Sequence, residues 1–313
     1  MLVLTRTEVE SLLSLPRMLD ALERGFRAHS SGATSVPPRT AARAATGLLG
    51  AMPGWVSGAG LAIKAVTVFP GNAGTGLPSH QGVIVLFDDS DGLPLCVMDG
   101  EYITAMRTGG AAAVSVRLLA RTESTTLAIL GAGAQGRSHL ATVPLVRDFQ
   151  TIRIASRNRD HAEALAATDA RCVVAGSMDE AVRDADVVCC CTDAHEPIVP
   201  LDWLAPGTHL TSVGGTFGPE IAADIVSSCR VFVEWRGAAE FAPPAGAREL
   251  QGCDAASLTE LGEVLNGTHP GRTSDDEVTV YKSTGVAFED AVVARMVYDD
   301  ALAAGSGSQV DFG

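Results

Sequence analysis

The stretch TLAILGAGAQG, residues 126–136, decides the fold of this 313-residue chain. An apolar run that predicts a strand ends at Leu130, and a glycine-rich turn then opens a predicted helix. In this context Gly131 is expected to form the tight turn, Gly133 to let the backbone approach a pyrophosphate, and Gly136 to allow close packing of helix on strand. The stretch therefore predicts a dinucleotide site. The alternative is a structural turn that binds no nucleotide.

Downstream of this stretch, short apolar runs alternate with helical segments. The runs TIRIAS, RCVVAG, DVVCCCT and THLTSVGG are typical of buried strands, and HAEALAA and DEAVRDA of the helices between them. This alternation predicts βαβ units and a parallel sheet, hence an α/β fold. Residues 1–118 instead carry a predicted helix (8–29), extended segments (36–98) and an apolar helix rich in small residues. A further long helix is predicted near the C-terminus.

Composition argues against several classes of function. The net charge of −14 argues against a surface for nucleic acid or anionic membranes. No uncharged apolar run reaches about 18 residues, and no basic n-region opens the chain, so neither a membrane span nor a signal peptide is predicted. The seven cysteines show no CxxC or paired spacing, which indicates reduced thiols and a cytoplasmic location. The histidines form no HExxH pair, so no metal site is predicted.

The end of the second predicted strand bears on which dinucleotide is bound. About 20 residues after the glycines, an Asp or Glu normally binds the ribose 2′-hydroxyl. This chain has Ser156, Arg157 and Asn158 there. Because a guanidinium and a hydroxyl can bind a 2′-phosphate, we expect NADP(H) to be preferred, with NAD(H) possible. The alternative is that Arg157 is an ordinary surface arginine and that specificity is relaxed.

Three cationic residues in the first part of the chain are candidates for binding an anion. Lys64 is the charged residue of the apolar strand GLAIKAVTVF, where a buried ammonium needs an anionic partner, a shifted pKa or a route to solvent. Arg107 lies in ITAMRTGGAAA, whose small residues favour bidentate binding of a carboxylate or phosphate. Arg39, in SVPPRTAAR, is the third. The alternatives are a lysine that reaches solvent from an edge strand and an ordinary loop arginine.

A resemblance to a known family rests on the stretches AMPGW, IKAVTVFPGN, GLPSHQG, DGLPLCVMDGEYITAMRTGGAAAVS, ILGAGAQGRSH, VGGTFGPE, ELGEVLNG and EVTVYKSTGVAFEDAVVA. On these stretches the chain resembles the ornithine cyclodeaminase/μ-crystallin family over nearly its whole length. The resemblance implies a homodimer. It also implies a Rossmann domain (119–289) inserted in a discontinuous α+β domain (1–118 plus 290–313) for substrate binding and dimerisation, with the active site in the cleft between them.

The resemblance also implies roles for individual residues. It places Arg39, Lys64 and Arg107 around the α-carboxylate of a substrate, with Lys64 and Arg107 as the predicted catalytic residues. Met52, in a pocket expected to be partly apolar, and Thr284 complete the predicted substrate set. The predicted cofactor residues are Ser79, Arg107, Thr108, Gly131, Gly133, Ala134, Gln135, Gly136, Ser156, Arg157, Asn158, Thr192, Val213, Gly214, Thr216 and Ser283.

One departure from the family decides the expected reaction. The cyclodeaminases carry an Asp in a GGD-type segment, where this chain has Thr216. A hydroxyl cannot act as a carboxylate base near neutral pH, and we expect Glu220 and Asp224, in the first turn of a following helix, to point elsewhere.

We therefore predict an NAD(P)H-dependent oxidoreductase that reduces a C=N bond next to a carboxylate in a small imine, or that acts as an amino-acid dehydrogenase. Lys64 is the expected proton donor, and His80 is a second candidate. The alternatives are an ornithine or lysine cyclodeaminase with recycled NAD, a non-catalytic NADPH-binding protein of the crystallin type, and an opine-type synthase.

Overall fold

Two sheets and ten α-helices make up the described part of the chain. The computed structural model describes residues 1–72, 75–215 and 218–311. The helices are α1 (Arg6–Leu12), α2 (Leu15–Ser30), α3 (Gly100–Leu119), α4 (Ala134–Thr142), α5 (Arg159–Ala166), α6 (Met178–Val182), α7 (Ala223–Ser228), α8 (Gly237–Glu240), α9 (Leu261–Leu265) and α10 (Ala287–Ala304). The strands are β1 (Leu2–Leu4), β2 (Thr34–Ser35), β3 (Thr40–Arg43), β4 (Leu48–Val56), β5 (Gly60–Val68), β6 (His80–Phe87), β7 (Pro94–Asp99), β8 (Thr126–Leu130), β9 (Thr151–Ala155), β10 (Cys172–Val174), β11 (Val187–Cys190), β12 (His209–Ser212), β13 (Arg230–Val233), β14 (Thr259–Glu260), β15 (Thr279–Lys282) and β16 (Ser308–Gln309).

The chain divides into two compact units. The first comprises Met1–Arg107 and Val286–Gly313, and the second comprises Thr108–Gly285. The boundaries predicted from the sequence are 118/119 and 289/290. The first division lies inside helix α3, because the part of α3 beyond Arg107 packs on α4: a Cβ added to Gly109 would lie 2.8 Å from the backbone of Ser138.

The first unit is built on a largely antiparallel sheet. Its strand order is β16-β1-β7-β6-β5-β4-β2, with β3 also paired to β4, and only β1 and β7 are parallel. Helices α2 and α10 pack together over β4 and β5, with the rings of Phe26 and Phe288 edge to face at 5.4 Å. A Cβ on Gly54 would lie 2.8 Å from that of Ala287. This glycine therefore lets the first turn of α10 approach the sheet closely.

Strands β4, β5 and β6 carry apolar residues on both faces. Met52, Lys64 and Ile84 are cross-strand neighbours on the face that α10 covers. The other face presents exposed aliphatic side chains, among them Leu49 (49%), Leu61 (41%) and Val83 (44%). An antiparallel sheet usually leaves its uncovered face polar, so this outer face is suited to contact with another surface.

The second unit is a parallel sheet with the strand order β10-β9-β8-β11-β12-β15-β13-β14. Every pair of neighbouring strands in it is parallel. The order reverses between β8 and β11, and a ligand is expected at the carboxyl ends of the strands at such a switch point. The predicted α/β fold, a Rossmann-type parallel sheet beside a discontinuous α+β unit, is confirmed, and the sheet of that α+β unit is largely antiparallel.

The helix predicted over residues 8–29 is two helices. Helix α1 ends at Leu12 and α2 begins at Leu15, after an N-cap at Ser14 and with a proline in its first turn. Proline lacks a backbone N–H and suits only the start of a helix, which separates the two elements. None of the helices in the described ranges is long and apolar enough to cross a membrane.

Candidate active site

Lys64 projects from the middle of β5 into a buried cluster of charges. Its Nζ lies 2.7 Å from Oδ2 of Asp290, and both side chains are 2% exposed. Arg107, on α3, donates through Nε to Asp290 Oδ1 at 3.1 Å and through Nη1 to Glu289 Oε2 at 2.9 Å. Asp290 thus bridges the two predicted catalytic residues, and all of these contacts lie inside the first unit.

The surroundings of Lys64 make its proton easier to lose. Burial lowers the pKa of Lys64 to about 8, and the positive charges of Arg107 and Arg39 act in the same direction, whereas Asp290 opposes them. For Asp290, burial alone would raise the pKa, but Lys64 and Arg107 outweigh it and hold that pKa below its ordinary value. At neutral pH the pair is therefore ionised, with a lysine whose pKa suits proton transfer.

The other predicted residues of the first unit divide into two groups. Met52 is buried and is the cross-strand neighbour of Lys64, and Arg39 is half-buried and close enough to lower the pKa of Lys64. Ser79 and His80 lie at the exposed start of β6, where Ser79 Oγ is 3.1 Å from His80 Nδ1. The structure therefore brings Met52 and Arg39 to the charged cluster and leaves Ser79 and His80 at the end of a strand.

The glycines of the loop after β8 differ in whether the fold requires a glycine at that position. Gly131 has a φ of +106°, and a Cβ on Gly136 would lie 2.0 Å from the Gly131 carbonyl oxygen, so the fold itself requires both. A Cβ on Gly133 would meet no protein atom within 4 Å. Helix α4 then begins at Ala134, without a side-chain cap at its N-terminus. The N–H groups at Ala134 and Gln135 are therefore suited to an anion.

The segment after β9 lies at the surface. Arg157 pairs with Asp193 at 2.9 Å, and the two side chains are 79% and 69% exposed. Asn158 has a structural role, because its Oδ1 accepts the His161 N–H and caps helix α5. Ser156 is half-buried. Of these three predicted cofactor residues, Arg157 is thus paired with a carboxylate from the loop after β11.

The side chain of Glu220 points in a different direction from the one expected. Helix α7 begins only at Ala223, so Glu220 precedes it and turns back into the protein, where it is fully buried. Its Oε1 accepts the N–H and the hydroxyl of Thr192, both at 2.7 Å, and its Oε2 accepts Ser212 Oγ at 2.7 Å and Gly214 N–H at 2.8 Å. The expectation that Glu220 points away from this region was wrong.

The predicted residues after β12 and β15 lie in tightly bonded segments. The N–H of Val213 donates to the Cys190 carbonyl, and that of Ser283 donates to the Ser212 carbonyl at 2.9 Å. Thr284 donates through its N–H and hydroxyl to Glu234. Thr108 is buried in helix α3 next to Arg107, whereas Thr216 and Phe217 lie outside the described residues.

Three charged residues described above were not predicted as site residues: Glu289, Asp290 and Glu220. The dipeptide Glu289–Asp290 interrupts the apolar run of α10, and both side chains are buried. Two adjacent acids in an otherwise apolar helix indicate a buried cation nearby. That signal could have marked Glu289 and Asp290 as site residues, but it does not identify the cation that each of them contacts.

Comparison with known proteins identifies the family of this chain. The model of the ornithine cyclodeaminase/mu-crystallin family matches residues 1–305. The chain belongs to this family. Ketimine reductase mu-crystallin of Mus musculus is 38% identical over 297 residues, which cover 92% of each chain. Alanine dehydrogenase of Archaeoglobus fulgidus is 33% identical over 99% of this chain and 98% of its own.

A solved structure of the family covers almost the whole chain as well. It is Δ1-pyrroline-2-carboxylate reductase of Thermococcus litoralis in complex with NADH and L-proline. That protein is 32% identical to this chain, with a TM-score of 0.92 over 99% of this chain and 100% of its own.

Proposed function

We propose that this family member is an NAD(P)H-dependent oxidoreductase that reduces a C=N bond next to a carboxylate. The buried cluster of Lys64, Asp290 and Arg107 carries the proposal. It sets an ammonium able to transfer a proton beside a guanidinium able to bind a carboxylate. The names of the ketimine and pyrroline-2-carboxylate reductases among its relatives describe substrates of this chemistry.

The charged residues of the first unit have different roles in the proposed reaction. Arg107 and Arg39 bind the carboxylate of the substrate and so orient the neighbouring C=N bond. A nicotinamide, when bound, supplies the hydride to the imine carbon. Lys64 gives its proton to the imine nitrogen, so that the C=N bond becomes CH–NH, and the neutral lysine then recovers a proton from water. Asp290 holds the Lys64 ammonium in place between turnovers.

The residues of the second unit fit a nicotinamide dinucleotide. The uncapped first turn of α4 would bind the pyrophosphate through the N–H groups of Ala134 and Gln135, and the absence of packing around Gly133 leaves the backbone accessible to it. We propose that NADP(H) is preferred and NAD(H) is accepted, because Arg157 can bind a 2′-phosphate while Asp193 competes for the same guanidinium.

The position of Glu220 weighs against the cyclodeaminase alternative. A cyclodeaminase needs a carboxylate base, which this sequence lacks at Thr216. Glu220 is the carboxylate nearest to that position in sequence, and it accepts four hydrogen bonds in a buried setting. It is therefore not available to activate an amine or water.

Turnover with defined imines tests the proposal. Oxidation of NADPH and NADH would be followed by absorbance with Δ1-piperideine-2-carboxylate, Δ1-pyrroline-2-carboxylate, and pyruvate with methylamine or ammonia. We expect turnover with at least one of these imines. Ammonia release from ornithine or lysine with catalytic NAD, and no oxidation with any imine, would replace the reductase by a cyclodeaminase.

We also propose that the protein is a homodimer that uses the outer face of strands β4–β6. The exposed side chains of Leu49, Leu61 and Val83 support this, as an apolar sheet face normally contacts another surface. An archaeal alanine dehydrogenase of similar structure is itself described as a dimer. Light scattering of the wild type and of Leu61→Glu tests the proposal, with the wild type expected at twice the mass of the variant.

A cytoplasmic location is the last part of the proposal. The seven cysteines are all unpaired, and three of them, Cys189, Cys190 and Cys191, are buried in and just after β11. Burial raises the pKa of Cys189 to about 12, so this thiol is unreactive and behaves as a small apolar residue. Free thiols of this kind are typical of a reducing compartment.

A further inference from the structure

A closed ring of hydrogen bonds lies beneath the loops after β11 and β12. Lys282 Nζ donates to Ser212 Oγ at 2.8 Å and to Glu249 Oε1 at 3.2 Å. Ser212 Oγ donates to Glu220 Oε2 at 2.7 Å, and the Glu220 N–H donates to Glu249 Oε1 at 2.6 Å. Lys282, Glu220 and Glu249 are all fully buried. Three buried charges are costly in a small volume, so the ring needs an explanation beyond packing.

The ring binds both backbone polar groups of one residue, Gly214. Gly214 donates its N–H to Glu220 Oε2 at 2.8 Å, and its carbonyl oxygen accepts Lys282 Nζ at 2.9 Å. A Cβ on Gly214 would lie 2.7 Å from the Glu220 carboxyl carbon and 2.7 Å from the Thr192 carbonyl oxygen. The glycine is therefore required by the charged side chains under the loop.

The same carboxylate also holds the neighbouring loop. Thr192 gives both its N–H and its hydroxyl to Glu220 Oε1 at 2.7 Å. Thr192 follows β11 and Gly214 follows β12, and these strands are adjacent in the sheet. Glu220 thus joins the two loops at the carboxyl edge, beside the switch point.

We propose that Glu220, supported by Lys282 and Glu249, is a positioning residue for the dinucleotide: it fixes the loops at Thr192 and Gly214 in the conformation that binds the cofactor. The inference rests on the cofactor site of the proposed function. It does not depend on the substrate, because the ring lies inside the second unit.

Glutamine at position 220 is the sharpest test. Each carboxylate oxygen of Glu220 accepts one backbone N–H, Oε1 from Thr192 and Oε2 from Gly214. Glutamine has a single oxygen, so its NH2 group must face one of these two donors. Glu220→Gln therefore releases one of the loops without changing the size of the side chain.

Asp186→Asn is the matched control. Asp186 accepts the N–H groups of Thr125 and Thr126 at 2.8 and 2.9 Å, at the amino edge of the same sheet, and it pairs with Arg121. Loss of the Asp186 charge should destabilise the second unit but leave the loops at the carboxyl edge of its sheet unchanged. Ser212→Ala is a milder second variant, because it removes one hydroxyl from the ring and keeps both backbone contacts of Glu220.

The readouts are the Kd of NADPH and NADH, by nicotinamide fluorescence, and the Tm of each full-length protein. We expect Glu220→Gln to bind both dinucleotides about tenfold more weakly and Ser212→Ala about threefold more weakly. Asp186→Asn should bind them like the wild type at a lowered Tm.

Two outcomes would overturn the inference or its basis, and a third would overturn only the proposed reaction. Wild-type affinity in Glu220→Gln, or in Ser212→Ala if Glu220→Gln does not fold, would make the ring merely structural. A wild type that binds neither dinucleotide would overturn the cofactor site and this inference together. A wild type that binds them but reduces no imine would remove the proposed reaction only, and the affinities of the variants would still decide the role of Glu220.

Discussion

The two lysines of this chain differ in the number of hydrogen-bond acceptors around the ammonium and in the charges nearby. Both are buried on strands, Lys64 in the antiparallel sheet and Lys282 in the parallel one. Lys282 donates to three acceptors, Ser212 Oγ, Gly214 O and Glu249 Oε1, which use all the protons of its ammonium. Within the described residues Lys64 has one acceptor, Asp290, and its other close charges are cations.

This difference supports the proposed catalytic role of Lys64 and a structural role for Lys282. An ammonium whose three N–H groups all donate to protein acceptors cannot lose a proton without losing one of those hydrogen bonds. An ammonium with protons to spare, a pKa lowered to about 8 and cations beside it can bind an anionic substrate and transfer a proton to it. We therefore expect substitutions of the two lysines to have different effects, in turnover for Lys64 and in stability and cofactor affinity for Lys282.

The largest expected effect is that of Lys64→Met on turnover. Methionine has a similar length but no proton to give, so imine reduction should slow by about 10²–10⁴-fold, the usual contribution of a general acid. Asp290 keeps Arg107 as a partner, so the protein should remain folded. Steady-state kinetics and the Kd of NADPH check this. Normal turnover would show that another group, such as His80, supplies the proton.

Lys282→Met should instead lower the free energy of unfolding. Removal of one partner of a buried ion pair leaves Glu249 without its cation, which typically costs about 3–5 kcal/mol in the free energy of unfolding. Chemical denaturation measures that loss. The control is Lys282→Met with Glu249→Gln, which removes the unpaired charge and should recover part of the stability. If Lys282→Met were as stable as the wild type, the two lysines would not differ in the way proposed.

Asp290→Asn should change the pH dependence of Lys64. For the wild type, the reductive kcat/KM should be constant below about pH 8 and fall above it, as the Lys64 ammonium loses its proton. Asp290 raises the pKa of Lys64, so its neutralisation should move this fall to lower pH, on the order of one unit. The oxidative direction, which needs the neutral amine, should show the opposite trend.

Glu289→Gln is the matched control for that measurement. Its carboxylate is the next residue along α10 and contacts Arg107 at 2.9 Å. It should therefore move the pH profile less than Asp290→Asn does. Equal shifts in the two variants would mean that the net charge of the site, and not the Asp290 contact, sets the pKa of Lys64.

Much of the fold could be predicted from local pattern alone. The parallel strands are short apolar runs with turn residues between them, and the loop at Gly131–Gly136 follows from steric rules that act within a few residues. The long C-terminal helix is likewise a local pattern. In the helices, the break before Leu15, which depends on a proline in the first turn of α2, was missed, as were the short helices α8 and α9.

The partners in the site could not be predicted in the same way. Lys64 and Arg107 were conspicuous in their apolar surroundings, but Asp290 lies 183 residues beyond Arg107, and no local rule joins them. Glu220 was misjudged for a smaller reason. Its direction depends on whether the following helix begins before or after it, and the start of α7 at Ala223 lies within the usual uncertainty of a predicted boundary.

The smallest expected effect concerns Asp193, which follows β11 in the second unit. Its pairing with Arg157 is largely exposed, so it contributes little to stability, and salt should screen it. Asp193→Asn should free the guanidinium for a 2′-phosphate and raise the NADPH-to-NADH affinity ratio by about twofold to fivefold at low salt. Arg157→Ala should lower the same ratio. The effects of substituting Lys64 or Lys282 should depend less on salt, because both side chains are buried and their ion pairs are screened less than exposed ones. An affinity ratio unchanged in both variants would mean that neither residue of this pair selects the cofactor.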